Sequence, residues 1–299
     1  MIDVTSLVKK FGNKVALDGI TFTIGGGSVF GLVGSNGAGK STLLRSLAGI
    51  YKADGGDVLV DGQTPFENSA VKSKIFFIPD YPYFFPQATM EDMADFYSKT
   101  YSNWSQQRYQ ELCSLFPLDR KAKIINMSKG MQRQAALINA LAAQPDYLLL
   151  DEIFDGLDPV MRQLLKKLLS SDVSERGMSV VIASHNLREL EDLCDHVGLM
   201  HKGGVVFEQE LDALKLGIHR VQAIFKPLPE PEAFAGLDII KTETRGSLMN
   251  LVIRGGKEEI LNRLNALNPV FIELLPLTLE EVFISEMEVA GYDIENILK

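Results

Sequence analysis

The run Gly34-Ser35-Asn36-Gly37-Ala38-Gly39-Lys40-Ser41-Thr42 constrains this chain more than any other stretch, because it fills every fixed place of the phosphate-binding P-loop. That pattern asks for Gly, four free residues, then Gly-Lys and Ser or Thr. The surroundings agree with it. Val29-Phe30-Gly31-Leu32-Val33 is a short apolar run that reads as a buried strand, and Thr42-Leu43-Leu44-Arg45-Ser46-Leu47 opens a helical pattern. A strand, a glycine loop and a helix start together aim backbone N–H groups and a positive helix end at a polyphosphate. Glycines at 34, 37 and 39 allow the loop its dihedrals and let phosphate approach the main chain. Lys40 is expected to reach the β- and γ-phosphates, and the Ser41 hydroxyl to ligate Mg²⁺. The chain is therefore expected to bind a nucleoside triphosphate.

A length of 299 residues leaves room for about two domains, and 46% hydrophobic with 23% charged residues suits a globular protein. Because no apolar run reaches about 18 residues, no membrane span is expected, and membrane involvement would come through a partner. Met1-Ile2-Asp3-Val4-Thr5 lacks the basic and apolar regions of a secretion signal. Cys113 and Cys194 have no metal-like spacing and fit a reducing compartment. A net charge of −9 argues against a general nucleic-acid binder, whose affinity comes from neutralising phosphates.

Residues 1–216 read as one α/β unit. Val4–Val8, Gly19–Ile24, Val58–Val60 and Ile75–Ile78 read as strands. From about 87 to 143 the pattern is helical, at Met90–Thr100, Ser105–Phe116 and Lys129–Ala142, which predicts a helical insertion. Strands resume at Tyr147–Leu150, Ser179–Ala183 and Val197–Met200, separated by helix-like Pro159–Ser170 and Leu187–Asp195. That alternation predicts a partly parallel sheet flanked by helices. Beyond the proline-rich Lys226–Pro231, residues 217–299 read as a small α+β domain. Its expected parts are a hairpin around Arg245-Gly246, helices at Lys257–Leu267 and Leu279–Met287, and a strand at Val270–Leu274.

Tyr147-Leu148-Leu149-Leu150-Asp151-Glu152 is an apolar strand ending in two carboxylates. Such a strand is expected beside the P-loop strand, so that Asp151 meets the Mg²⁺ shell while Glu152 polarises the attacking water as general base. With the P-loop and this strand in place, the chain resembles the nucleotide-binding subunit of an ATP-binding cassette (ABC) transporter over about residues 1–215. Met127-Ser128-Lys129-Gly130-Met131 resembles the family signature LSGGQ in its LSxGM form. Gly156-Leu157-Asp158-Pro159 resembles the D-loop, and Ser184-His185 the switch-histidine motif. Phe11 stands where the family stacks an aromatic ring on adenine.

The resemblance implies that Ser128, Gly130 and the helix start behind them face the γ-phosphate held by an opposite subunit, and that Asp158 is also a nucleotide-binding residue. It implies that His185 hydrogen-bonds the γ-phosphate and the attacking water. Ser128 also reads as a helix N-cap, and one residue can serve both roles. Two departures stand out. Met127, Lys129 and Met131 replace the commoner Leu, Gly and Gln of the signature. Ile78-Pro79-Asp80 aligns with the family's strand-Pro-Gln, so Asp80 replaces a glutamine that approaches Mg²⁺; a carboxylate can also ligate that ion. Tyr81-Pro82-Tyr83-Phe84-Phe85-Pro86 reads either as a loop buried against the helical insertion or as a docking groove for a membrane subunit.

The fold expected is a P-loop ABC ATPase core with a helical subdomain and a small C-terminal α+β domain. The function the resemblance implies is ATP hydrolysis with Mg²⁺, in a head-to-tail homo- or heterodimer at the cytoplasmic face of the membrane. There it would drive a separate multi-span permease, with Thr278-Leu279-Glu280-Glu281-Val282-Phe283 resembling the ending of exporter ATPases. The alternatives are a soluble ABC-type ATPase acting on ribosome or DNA, and a poorly hydrolysing nucleotide-gated module.

Overall fold

The computed structural model describes residues 1–211, 217–275, 277, 280 and 281. Contacts divide the chain into two compact units, Met1–Glu208 and Gln209–Lys299. The expected boundary at 216/217 adjoins residues 212–216, which lie outside the described residues, as does most of the expected helix Leu279–Met287.

In the N-terminal unit, β1 (Ile2–Phe11) and β2 (Lys14–Ile24) form an antiparallel hairpin, and β4 (Gly55–Val60) pairs with the other edge of β1. A second sheet holds β3 (Val29–Val33), β5 (Ile75–Ile78), β6 (Tyr147–Asp151), β7 (Ser179–Ser184), β8 (His196–His201) and β9 (Gly204–Glu210), in the order β5-β6-β7-β3-β8-β9. Its strands β5, β6, β7, β3 and β8 run parallel. β3, β6 and β7 are buried along their whole length, which is why they read as unbroken apolar runs rather than as alternations. Helix α1 (Lys40–Leu47) buries Leu43, Leu44 and Leu47 in one core with Leu7, Leu17 and Ile20 of the small sheet and Leu149, Val181 and Ala183 of the large one.

Local signals fix the remaining helices. α2 (Ser69–Lys72) is a single turn capped by Asn68. α3 (Met90–Thr100) opens with a capping box between Thr89 and Asp92, α4 (Gln106–Leu115) is capped by Ser105, and α5 (Lys129–Ala142) by Ser128. α6 (Pro159–Arg176) has Asp158 as cap and Pro159 at its first position, and it runs on past Ser170 until Gly177 turns left-handed at φ 68°. The expected helix Leu187–Asp195 shrinks to α7 (Leu187–Leu190). The Asp195 N–H donates to the Val29 carbonyl at 2.9 Å and its carboxylate accepts the Val29 N–H at 2.7 Å, so the start of β3 pulls the chain off the helical path.

The order β6-β7-β3 corrects the expected neighbourhood of the two active-site strands, since β7 lies between them. Asp151 is in register with Ala183, and Ala183 with Leu32, so both strands end at the same level. Helix α1 packs over β6 and β7 and bridges the gap that direct strand pairing was expected to close.

In the C-terminal unit, β10 (Ile218–Ile224), β11 (Asp238–Arg245), β12 (Leu248–Arg254) and β13 (Phe271–Leu275) form an antiparallel sheet in the order β11-β12-β10-β13. Arg245 pairs with Leu248 across the expected hairpin, whose tip is Gly246–Ser247. α8 (Lys257–Asn265) contributes Ile260 and Leu264 to a core with Val221, Leu251 and Ile253.

Candidate active site

β3 delivers the chain to the loop Gly34–Gly39, and α1 begins at Lys40. Gly39 has φ 112°, and a Cβ there would lie 2.8 Å from the Ala16 carbonyl, so the sequence needs glycine at this position for both conformation and space. With glycine as N-cap, no side chain takes up the first N–H groups of α1, and they remain available to an anion. Ser35 through Thr42 line a cleft of about 480 Å³ together with Phe11, Lys14, Val15, Ala16, Asp80, Glu152, Lys202 and Gly203.

Lys40 is 5% exposed. Its ammonium donates to the Gly34 carbonyl at 2.6 Å and stands 3.3 Å from Glu152 Oε1. The other oxygen of Glu152 lies 2.9 Å from His185 Nδ1 and accepts the His185 N–H at 3.3 Å. One carboxylate thus links the P-loop lysine to the residue after β7, and Glu152 holds this place with an unusual φ of 49°. Asp151 is fully buried, and neither carboxylate oxygen completes a hydrogen bond within the protein. Burial pushes its carboxyl above the usual carboxylate range; the facing Ser41 hydroxyl opposes that shift and the Glu152 charge adds to it. An orphaned buried carboxylate opposite a hydroxyl fits a hard divalent cation such as Mg²⁺, so Ser41 and Asp151 suit it chemically.

Phe11 is 45% exposed at the rim of the cleft, edge-on to Tyr51 at 5.3 Å and with the Lys9 ammonium 5.5 Å from its ring. A half-exposed ring beside the P-loop leaves a face for a purine base. Asp80 also lines the cleft, but its carboxylate accepts a hydrogen bond from Arg133.

Ser128, Gly130 and Asp158 are absent from the cleft lining. Ser128 is exposed and accepts the Met131 N–H at 3.3 Å; Asp158 caps α6 by accepting the N–H groups of Val160 and Met161. A Cβ on Gly130 would lie 2.5 Å from the Gly156 carbonyl, so this glycine lets α5 pack on the segment before α6.

Sequence reasoning passed over several contributors. Gly203 bonds the P-loop through its N–H to the Ala38 carbonyl at 2.9 Å, and its carbonyl accepts the Asp18 N–H at 2.8 Å. The Lys202-Gly203 pair had a turn signal but nothing pointing to phosphate. Buried Glu189 accepts the Ser184 hydroxyl at 2.9 Å and lies 3.2 Å from Arg162 Nη1, while Arg162 Nε donates to the Leu157 carbonyl at 3.0 Å. That chain ties the end of β7 to the segment before α6, and its members are too far apart in sequence to form a motif.

The family model described as ABC transporter matches residues 17–155. The ABC transporter ATP-binding protein YtrB of Bacillus subtilis (strain 168) is 31% identical over 286 residues, 96% of this chain and 98% of that protein. The bacitracin transport ATP-binding protein BcrA of Bacillus licheniformis is 31% identical, with 72% of this chain and 71% of that protein covered. Among solved structures, the ATP-binding subunit of an ABC transporter superposes with a TM-score of 0.67 at 24% identity, covering 72% of this chain and 92% of its own; that likeness concerns the fold.

Proposed function

The chain belongs to the ABC transporter family, and we propose that it is an ATP-hydrolysing subunit that powers export through a separate membrane permease. The observation that carries this reading is the Lys40–Glu152–His185 chain at the mouth of the P-loop cleft. That chain supports Glu152 as the group that polarises the attacking water and Lys40 as the group that meets the γ-phosphate. Phe11 stacks on the base, the N–H groups of the loop cradle the phosphates, and Lys40 exchanges its contact with Glu152 for one with the γ-phosphate. Ser41 and Asp151 would hold Mg²⁺, which when bound would supply positive charge to the phosphate oxygens. His185 positions Glu152 and the water.

Ser128 heads α5, is exposed, and is not among the residues that line the P-loop cleft of its own chain. Two copies arranged head to tail would place each Ser128 against the other chain's nucleotide, a closed twofold arrangement. ATP would then hold the dimer shut, and hydrolysis would release it.

No helix among the described residues is long and apolar enough to cross a membrane; the names of the ATP-binding relatives support a separate permease and a peripheral place at the cytoplasmic face. Tyr81 and Tyr83 are 71% and 73% exposed, which favours the docking alternative for the aromatic loop over a buried one. The name of the bacitracin transport relative supports a peptide, drug or lipid-like compound as cargo.

Phosphate release by the wild type and by Glu152→Gln, with light scattering in Mg-ATP, tests the reading. The wild type should turn over, and the variant should bind ATP, stall and run as a dimer. Wild-type turnover in the variant would remove Glu152 from the chemistry. Co-purification of a multi-span membrane protein with the stalled variant tests the permease, and Tyr83→Glu should abolish that co-purification while sparing ATP binding.

A further inference from the structure

Two departures from the family pattern, Asp80 and Lys129, meet in space. Lys129 and Arg133 are four residues apart on α5 and therefore project from one face of it. The Arg133 side chain is 8% exposed, and its guanidinium donates to the Asp80 carboxylate, to the Asp80 carbonyl at 3.2 Å and to the Asp155 carbonyl. The Lys129 ammonium stands 5.4 Å from the centre of the Tyr81 ring. Both cations, with Gln132, Pro82 and Gly156, line a cleft of about 410 Å³ distinct from the P-loop cleft, and Asp80 lines both.

A guanidinium removed from water needs a counter-ion and a partner for its N–H groups, and a buried pair loses much when one member goes. Asp80 supplies the charge and the two carbonyls supply further acceptors. The same arrangement grips α5 at its start: Ser128 caps that helix, and Gly130 packs on the Gly156 carbonyl one turn before Arg133. Segment 80–81, the start of α5 and segment 155–156 are thereby bolted together through one side chain.

We infer that Asp80 and Arg133 form a single clamp, beside which Lys129 stands over Tyr81. Asp80 serves as the counter-ion of Arg133 rather than as a ligand of Mg²⁺, and Arg133 is a positioning residue. It fixes the helix that carries Ser128 relative to the nucleotide cleft on one side and to the aromatic loop on the other. The inference rests on reading the chain as an ATPase with Ser128 at a nucleotide, and it deepens that reading.

The test compares full-length wild type, Arg133→Gln, Asp80→Gln and the double variant, with Arg133→Lys as the conservative change. The measurements are kcat, KM for ATP, the Mg²⁺ concentration at half-maximal rate, and amide exchange at residues 80–86 and 154–158 without nucleotide. Each single variant should lose roughly tenfold in kcat, with KM and the Mg²⁺ midpoint within about twofold of wild type. The double variant should be no worse than the worse single, the non-additivity expected of groups that act as a pair. Arg133→Lys should keep more activity than Arg133→Gln, and Arg133→Gln should speed exchange in both segments together. Additive losses, or a displaced Mg²⁺ midpoint in Asp80→Gln while Arg133→Gln runs at the wild-type rate, would overturn the clamp; the second result would make Asp80 a metal ligand. Were the wild type itself inactive, the ATPase reading would fall, and exchange would decide the clamp: loosening of both segments in Arg133→Gln upholds it, and unchanged exchange rejects it.

Discussion

Both units of this chain hold scattered buried polar groups, and the N-terminal one also gathers charged groups at a cleft. In the N-terminal unit Lys40 and Glu152 pair in the lining of one cleft and the unpartnered Asp151 directly precedes Glu152, while Tyr109, Asn139 and Asp172 carry buried atoms without a hydrogen-bond partner outside that lining. Among the described residues of the C-terminal unit, the buried side-chain atoms without a hydrogen-bond partner are His219 Nε2 and Asn250 Oδ1. Gln222 pairs with Asn250, and His219 is three residues from Gln222, so alternation puts His219 and Asn250 on opposite faces of the sheet. Convergence, rather than the presence of unsatisfied groups, separates a site from a packing residue. Such groups cost stability, and a fold retains a cluster of them where a ligand completes their bonds.

Changes in the two units should therefore fail in different currencies, and the largest effect is expected at Glu152. Glu152→Gln should lower kcat by about 100-fold or more, the range for loss of a general base, with ATP affinity retained and unfolding little changed. Leu251→Ala, in the core of the C-terminal unit, should do the reverse. It should cost about 2–5 kcal/mol in a denaturant melt of that unit while phosphate release by folded protein stays near wild type. If Leu251→Ala stopped hydrolysis without unfolding, the C-terminal unit would belong to the catalytic apparatus and the contrast would be lost.

Asp151→Asn should show stability and function pulling apart. The folded-state pKa of Asp151 is raised by burial, so its ionised form burdens the native state at neutral pH, and that burden is relieved as pH falls through the folded pKa. The metal-free amide variant should be more stable than wild type at neutral pH, by roughly 1–3 kcal/mol, and the two melting temperatures should converge as pH falls. Added Mg-ATP should stabilise the wild type and not the variant. A variant less stable than wild type at neutral pH without metal would mean that Asp151 has a partner in the folded protein. The smallest effect belongs to Phe11→Ala, which should weaken ATP binding by about fivefold, near 1 kcal/mol, with kcat unchanged; equal affinities in titration calorimetry would remove Phe11 from the base pocket.

Much of the site was legible because its chemistry is written in contiguous residues. The P-loop needs its glycines, lysine and hydroxyl in fixed order, since one strand–loop–helix turn forms the whole cradle, and the structure gathers Ser35–Thr42 around one cleft. Asp151 and Glu152 were readable because two acids close an apolar strand in a chain that also carries a P-loop; without that loop they would read as solvated residues at a strand end. The helices of the insertion were readable from their helical pattern, and the structure adds the caps at Thr89 and Ser105 to the one read at Ser128. β10 was missed because Ile218–Ile224 mixes His219, Arg220 and Gln222 among its apolar residues, as a strand with a polar outer face does.

What the sequence determined alone is the set of local geometries: the phosphate loop, the capped helices, the buried parallel strands and the acids at the end of one of them. Each depends on residues within a few positions of one another, where backbone sterics and hydrogen bonding leave few alternatives. Tertiary structure alone decided what meets across long separations. It put β7 between the two active-site strands, joined Ser184 to Leu157 through Glu189 and Arg162, and set Asp80 against Arg133. Those contacts are set by sheet order and helix packing, which no short stretch of sequence encodes.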